Sequence, residues 1–255
     1  MILTVDIGNS NICFAIHEDE QPEPLFFERI HTDHEKTALE YAVDIRMILE
    51  LHHILPDSVT DCALSSVVPV VTPSIRAALE ELLNCRILVV TPFINLPYGA
   101  NADDISPVGA DILCDNAGTK LQYNTPAMTF DLGTATVASS LDDHGNLDGV
   151  LICPGVRTSL NSLARRTSAL PQITLDPPKK VIAENTVDAM HSGIIYGTAG
   201  LIDSIIDRTE EETGLHYTVV ATGGLSRFIV PYCRHKIILD PTLLMKGMWS
   251  LLKIN

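Results

Sequence analysis

The sequence predicts an α/β fold of two similar lobes with a cleft between the copies. Three observations carry that expectation. Short apolar runs alternate with segments of helical spacing, a Thr-x-Asp-apolar-Gly signature occurs twice, and 255 residues suffice for two lobes of ordinary size. The first copy is Thr4-Val5-Asp6-Ile7-Gly8, continuing as Asn9-Ser10-Asn11-Ile12. The second is Thr129-Phe130-Asp131-Leu132-Gly133, continuing as Thr134-Ala135-Thr136-Val137. Each sits in a strand, polar turn, strand pattern and each opens a lobe, so a duplicated unit is the economical architecture.

The elements follow in order. Residues 2–5 and 12–16 read as strands joined by a polar turn, and a third strand follows at 25–30 after a turn at 18–24. Thr32 with Glu35 reads as a capping box, after which Ala38, Ala42, Ile45, Leu49 and His52 recur at helical spacing. Residues 63–68 read as a buried strand. Thr72-Pro73 opens a helix, since proline's missing N–H has no helical partner in the first turn. A strand at 86–91 leads into an irregular stretch, 92–107, and loops of that length often carry function. Ser106-Pro107 is then expected to cap a helix bearing Asp111. The lobe boundary is placed after residue 115, giving lobes 1–115 and 116–255.

In the second lobe, His144-Gly145-Asn146 supplies a hairpin turn and Pro154-Gly155 a loop, and 159–170 has helical character. A Pro-rich connector spans 171–178. Asn185 or Thr186 caps a long helix that runs to about Thr213 and is stopped by Gly214. A strand at 218–221 enters Thr222-Gly223-Gly224-Leu225-Ser226, and a strand at 236–239 and a helix from Pro241 finish the chain.

Composition narrows the function. A formal net charge of −15 argues against a nucleic-acid groove, which needs clustered Lys and Arg. It leaves nucleotides open, because a carboxylate reaches a triphosphate through Mg²⁺. The apolar run at 67–71 is short and carries Pro69, and the N-terminus lacks a signal peptide's basic region, so a cytoplasmic protein without a membrane segment is expected. The six cysteines show no C-x-x-C pair and read as free thiols. None of the nine histidines has metal-ligand spacing, Ser159 and Ser162 lack a G-x-S-x-G context, and neither the P-loop nor the G-x-G-x-x-G motif occurs.

The two Asp-x-Gly turns are the candidate phosphate sites. Gly8 and Gly133 let backbone approach a phosphate, and Asn9, Ser10, Asn11, Thr134 and Thr136 add polar side chains. Asp6 and Asp131 are placed to hold Mg²⁺ or its waters. One such turn alone would be an ordinary hairpin turn; two copies facing a cleft favour phosphate binding. Gly223 and Gly224 are the third element, able to lie flat against a ring or a phosphate. Asp111 is the candidate general base for a hydroxyl. Asp115 lies one turn on, where mutual repulsion would raise one carboxyl pKa. A solvated acidic helix face fits that spacing equally well.

The ordered set of motifs resembles the type III pantothenate kinase family. Asp6-Ile7-Gly8-Asn9-Ser10-Asn11 and Asp131-Leu132-Gly133-Thr134-Ala135-Thr136 look like its two phosphate motifs. Ser65-Ser66-Val67-Val68-Pro69 looks like a hallmark of its first lobe, and Pro97-Tyr98 with Gly109-Ala110-Asp111 like its substrate loop and catalytic-base motif. Gly149, Pro154-Gly155, Arg166-Thr167, Leu170-Pro171, Asn185-Thr186, Ser192-Gly193 and Thr222-Gly223-Gly224 follow in family order. The resemblance implies duplicated actin-like ATPase (ribonuclease H-like) lobes. It also implies phosphorylation of pantothenate by ATP, the first step of coenzyme A biosynthesis, with Mg²⁺, a monovalent cation (K⁺ or NH₄⁺) and a homodimer. By the same resemblance Asp111 deprotonates the substrate hydroxyl, Asp6 and Asp131 handle cations and phosphates, and Tyr98, Gly109, Ala110 and Thr186 line the substrate pocket, Thr186 donated by the partner subunit.

The chain departs from that pattern where G-A-D-R-x-x-N reads Gly109-Ala110-Asp111-Ile112-Leu113-Cys114-Asp115. The family's arginine contacts the substrate, and Ile112 cannot pair with a carboxylate. Three readings follow: a pantothenate kinase in which Arg157, Arg165 or Arg166 replaces that arginine, a same-fold kinase for a less anionic acceptor such as pantetheine, or a non-catalytic nucleotide-binding paralogue. The completeness of the motif order puts the first ahead.

Overall fold

The computed structural model describes residues 1–101, 105 and 107–255. It divides into two compact units, Met1–Gln122 with Thr242–Asn255, and Tyr123–Pro241. The boundary expected after residue 115 therefore falls inside a helix, and the C-terminal helix belongs to the first unit. Expected capping by Ser106-Pro107 involves Ser106, which lies outside the described residues.

In the first unit the chain forms β1 (Ile2–Ile7), β2 (Asn11–His17), β3 (Pro24–His31), α1 (Ala38–Leu51), β4 (Asp61–Ser66), α2 (Thr72–Leu82), β5 (Arg86–Val89) and α3 (Ala110–Gln122). The sheet runs β3-β2-β1-β4-β5, with β1–β2 and β2–β3 antiparallel and β1–β4 and β4–β5 parallel. All six residues of β1 are buried, as a central strand covered on both faces requires. Leu3, Val5 and Ile7 enter the apolar cluster with Tyr41, Ile45 and Leu49 of α1 and Ile75 and Leu79 of α2. Their alternates Thr4 and Asp6 point to the opposite face.

That second face meets α3 and the last helix of the chain, α7 (Leu243–Ile254). Thr4 Oγ1 lies 3.3 Å from Met245 Sδ. Helices α3 and α7 cross at Gly118 and Gly247, where a Cβ on Gly247 would collide with the Cys114 carbonyl oxygen and stand 2.8 Å from Gly118 N. Glycine at the crossing is what lets the two backbones touch. Lys246 pairs with Glu23 at 2.7 Å, and Trp249 Nε1 donates to the Glu18 carbonyl at 3.3 Å, so α7 also holds the β2–β3 hairpin.

The capping box at α1 is Thr37 with Glu40, not Thr32 with Glu35. Thr32 instead donates through Oγ1 to the Gly8 carbonyl at 2.6 Å, and its N–H reaches the Ser10 carbonyl at 3.1 Å. Both threonines fit the same short pattern, and the one adjacent to the apolar periodicity is the cap.

The second unit holds β6 (Ala127–Leu132), β7 (Ala135–Leu141), β8 (Leu147–Pro154), α4 (Val156–Arg166), α5 (Thr186–Thr213), β9 (Thr218–Thr222), the single turn α6 (Ser226–Ile229) and β10 (Ile238–Leu239). Its sheet order, β10-β9-β6-β7-β8, is that of the first sheet, with the same parallel and antiparallel pairings. The predicted duplication is thus present in topology. Asn185 caps α5 by accepting the Asp188 N–H, and Gly214 ends it at φ +72°, as expected. Phe130 and Leu132 pack with Ile195, Ile202 and Ile206 of α5.

All six cysteines are free thiols. Among the described residues no helix is long and apolar enough to cross a membrane.

Candidate active site

Each sheet ends its central strand in an aspartate. Asp6 faces Cys13 on β2 and Ser65 on β4, and Asp131 faces Val137 on β7 and Thr222 on β9. The turns beyond differ in length. Ile7 pairs with Ile12, leaving four residues between them, whereas Leu132 pairs with Thr136, leaving three. Gly8 N–H accordingly closes onto the Asn11 carbonyl, and Gly133 N–H onto that of Ala135, both at 3.0 Å. The residue-for-residue overlay of the two signatures therefore holds up to the glycine and slips by one beyond it. Thr136, not Val137, is the counterpart of Ile12. It lies opposite Leu132 on the core-facing side, 1% exposed, and directs its hydroxyl away from the face that carries Asp131.

Around Asp6 the site is made by side chains. Asp6 is 8% exposed and accepts a 2.8 Å hydrogen bond from Ser65 Oγ, itself fully buried. Burial together with the charges of Asp6, Asp115 and Asp111 holds the Cys114 thiol of α3 well above the ordinary range. Asn9, Ser10 and Asn11 of the turn are exposed.

Asp111 sits in the first turn of α3, half-buried, with Oδ1 accepting the Ile112 N–H at 2.8 Å. Its carboxyl folds back over Gly109, into space that a Cβ on that residue would fill, and near Val67. Desolvation pushes its pKa above the ordinary carboxylate value, and the backbone N–H bond only partly offsets that. Repulsion from Asp115 is not the cause, contrary to expectation. Nor is this a solvated acidic face, because Asp115 is 3% exposed. Tyr98 is also buried, and its hydroxyl donates to the Leu113 carbonyl at 2.9 Å, so it anchors α3. Burial raises its pKa above the usual phenol value. Ala110 is buried at the start of α3.

Around Asp131 the site is made by backbone. Gly223, at φ +83°, lies so close that a Cβ there would collide with Asp131 Oδ1 and stand 2.7 Å from Leu132 N. Gly155, the residue before α4, presses on the turn in the same way: a Cβ there would collide with the Thr134 carbonyl and stand 2.7 Å from the Gly133 carbonyl oxygen. Thr158 Oγ1 donates to the Thr134 carbonyl at 2.7 Å. Gly224 is exposed, and Ser226 returns to the Gly223 carbonyl through Oγ at 2.7 Å. The helix after this loop is one turn long. Thr186 is exposed at the start of α5, on an apolar hollow of about 510 Å³ lined by Leu163, Leu170, Met190 and Ile194.

Sequence reasoning singled out Asp6, Asp111 and Asp131 but missed Ser65, Gly155 and Thr158 as site-forming residues. The available signal was the polar pair Ser65-Ser66 ending an otherwise buried strand.

The match to known proteins agrees with this geometry. The profile described as type III pantothenate kinase matches residues 2–208. The chain belongs to the type III pantothenate kinase family. It is 37% identical to the type III pantothenate kinase of Bifidobacterium animalis subsp. lactis across the whole of both chains. It is 35% identical to that of Rubrobacter xylanophilus, over all of this chain and 98% of the relative. Among solved structures, one described as a Baf family transcriptional activator from Campylobacter jejuni superposes with a TM-score of 0.59 at 18% identity, over 98% of this chain and 97% of that one. The ethanolamine utilization protein EutJ of Carboxydothermus hydrogenoformans gives 0.56 at 15% identity, over 98% and 89%. At those identities the likeness speaks of fold alone: duplicated actin-like ATPase lobes, as this family member's two matching sheets require. Like its relatives by name, it is a kinase.

Proposed function

We infer that this protein transfers the γ-phosphoryl group of ATP to the hydroxyl of pantothenate, giving 4'-phosphopantothenate, the first step of coenzyme A biosynthesis. The observation that carries the reading is Asp111: a half-buried carboxylate, its pKa raised by desolvation, at the head of a helix in a chain related over its full length to pantothenate kinases. A base with a raised pKa accepts a hydroxyl proton more readily. Oδ2 is assigned to that step, because Oδ1 already holds the Ile112 N–H. Gly109, Ala110 and Tyr98 shape the acceptor side by fixing the Asp111 rotamer and the start of α3.

The phosphates are assigned to the two turns. The N–H groups of Gly8 and Gly133 are engaged inside their own turns, so the exposed Asn9, Ser10, Asn11 and Thr134 side chains are the reaching groups. Gly223 and Gly224 present backbone to the nucleotide. Among the described residues no cluster of three His, Cys, Asp or Glu could hold a metal. Single carboxylates at Asp6 and Asp131 suit Mg²⁺, which takes one or two carboxylates and fills its shell with phosphate and water. Bound there, the ion would neutralise developing phosphate charge. A monovalent cation (K⁺ or NH₄⁺), a cytoplasmic location and a homodimer in which Thr186 reaches the partner's acceptor site complete the reading.

One observation favours a second acceptor. The charged groups acting on the Cys114 thiol are the carboxylates of Asp6, Asp115 and Asp111, with no cation among them. Without a guanidinium at Ile112, a carboxylate substrate needs a cation from elsewhere, Arg157, Arg165 and Arg166 of α4 being the arginines considered, whereas pantetheine needs none. ADP release measured with pantothenate, pantetheine or no acceptor tests both. Pantothenate-dependent turnover lost in Asp111→Asn supports the first reading. Turnover with pantetheine alone replaces it with the second, and silence with both overturns catalysis.

A further inference from the structure

Asp6 does not stand on its own strand alone. The parallel register of β1 and β4 sets Ser65 directly beside it, and the fully buried Ser65 hydroxyl donates to Asp6 Oδ1 at 2.8 Å. A hydroxyl has one proton to give and can also accept. That proton is committed to Asp6, and both members of the pair are buried. In the second unit the register equivalent of Ser65 is Thr222, and there the adjoining Gly223 backbone, lying against Asp131, limits that carboxylate instead.

We propose that Ser65 is a positioning residue for the kinase reaction, fixing the plane of the Asp6 carboxylate for the Mg²⁺-ATP phosphates. The assignment rests on the reading of Asp6 as the phosphate and cation group. A hydroxyl bond to a carboxylate is short and charge-assisted, and without it the carboxylate turns about its own bond and loses one of its donors. Because Ser65 acts only through Asp6, its loss is felt where Mg²⁺-ATP binds and not where the acceptor binds.

The test is steady-state kinetics of Ser65→Ala, Ser65→Thr and Ser65→Cys with calorimetric titration of Mg²⁺-ATP into each. Ser65→Ala is expected to raise both the KM for Mg²⁺-ATP and the half-saturating Mg²⁺ about 10-fold, the scale of a lost charge-assisted hydrogen bond. The acceptor KM stays within about 2-fold of wild type, because nothing that touches the acceptor has changed. Ser65→Thr keeps the hydroxyl and restores Mg²⁺-ATP affinity. Ser65→Cys keeps the volume with a poor donor and behaves as Ser65→Ala, which carries the comparison should the alanine variant not fold. In an Asp6→Asn background Ser65→Ala adds nothing further.

Two results separate the proposal from the reading beneath it. If Asp6→Asn abolishes Mg²⁺-ATP binding while the folded Ser65→Ala or Ser65→Cys protein binds as wild type, the positioning role is overturned and the reading of Asp6 stands. If Asp6→Asn binds Mg²⁺-ATP normally, the reading of Asp6 falls and the proposal falls with it. Equal losses in Ser65→Ala and Ser65→Thr, spread over both substrates, would make Ser65 structural only and also overturn it.

Discussion

The two units solve one problem by different means. Both end a central β-strand in an aspartate, followed by an apolar residue and a glycine, in sheets of identical strand order. In the first unit a neighbouring side chain, Ser65, holds the aspartate, and the turn is less crowded: a Cβ on Gly8 would meet the Asn11 carbonyl oxygen at 3.1 Å, a tight contact and not a collision. In the second unit the backbones of Gly155 and Gly223 lie against the turn and the aspartate, leaving no space for a single carbon. A duplicated fold thus keeps the position of a functional carboxylate while exchanging the chemistry that supports it. The first unit should be sensitive to losing polar atoms, the second to gaining carbon.

The sharpest way to probe the side-chain half is Asp111→Asn. We expect kcat to fall by about 10³-fold, within the range for a lost general base. The same substitution should raise the melting temperature by about 2 °C, because a desolvated charge has been removed. The sign follows from the raised pKa: the ionised form costs stability, which is fully present below the ordinary carboxylate value and lost as pH rises through the folded one. In the wild type, kcat/KM should fall on the acid side with an apparent pKa above that of a free aspartate. A Tm unchanged or lowered in Asp111→Asn would contradict the desolvation account.

The backbone half is broken by Gly223→Ala. Strain at φ +83° and collision with Leu132 and Asp131 predict a loss of about 3 kcal/mol in urea unfolding and a large fall in ATP affinity. Gly8→Ala, the matching change in the first unit, should cost less than about 1 kcal/mol. Equal costs would erase the comparison.

Acid offers a third contrast. His17 is fully buried, with Nδ1 donating to the Pro22 carbonyl at 2.7 Å and Nε2 accepting from Thr4 Oγ1 at 3.0 Å. Burial lowers its pKa from 6.5 to about 4. The stability it contributes is complete above 6.5 and is lost as pH falls through the folded value, amounting to about 3 kcal/mol between the two. The register equivalent in the second unit is Leu141, and His17→Leu should flatten this part of the pH–stability curve. A small effect is also expected from Thr158→Val, which removes one exposed hydrogen bond to the Thr134 carbonyl: about 1 kcal/mol in urea unfolding.

Local chemistry was legible in the sequence and long-range pairing was not. Helix α5 was readable because its cap Asn185 and its stop Gly214 act within a turn of the helix ends. The three aspartates were readable because each stands beside a glycine in a short motif. The one-residue slip after Gly133 was not, since turn length is decided by which residues pair across the strands. Ser65 as the partner of Asp6 depends on a parallel register between residues 59 positions apart. The boundary between units was misplaced because α7 returns to the first sheet, and nothing in an apolar C-terminal helix says which sheet it joins.

That return has a consequence for how the protein is made. The second unit is one unbroken stretch, Tyr123–Pro241, whereas the first needs segments from both sides of it. On the ribosome the first sheet is synthesised early, yet its Asp6-bearing face lacks α7 until residues 242–255 emerge, after the whole second unit has been synthesised. The Gly118–Gly247 crossing is therefore among the last contacts to form, and the earliest residues of the nascent chain wait for some of the latest before their site is closed.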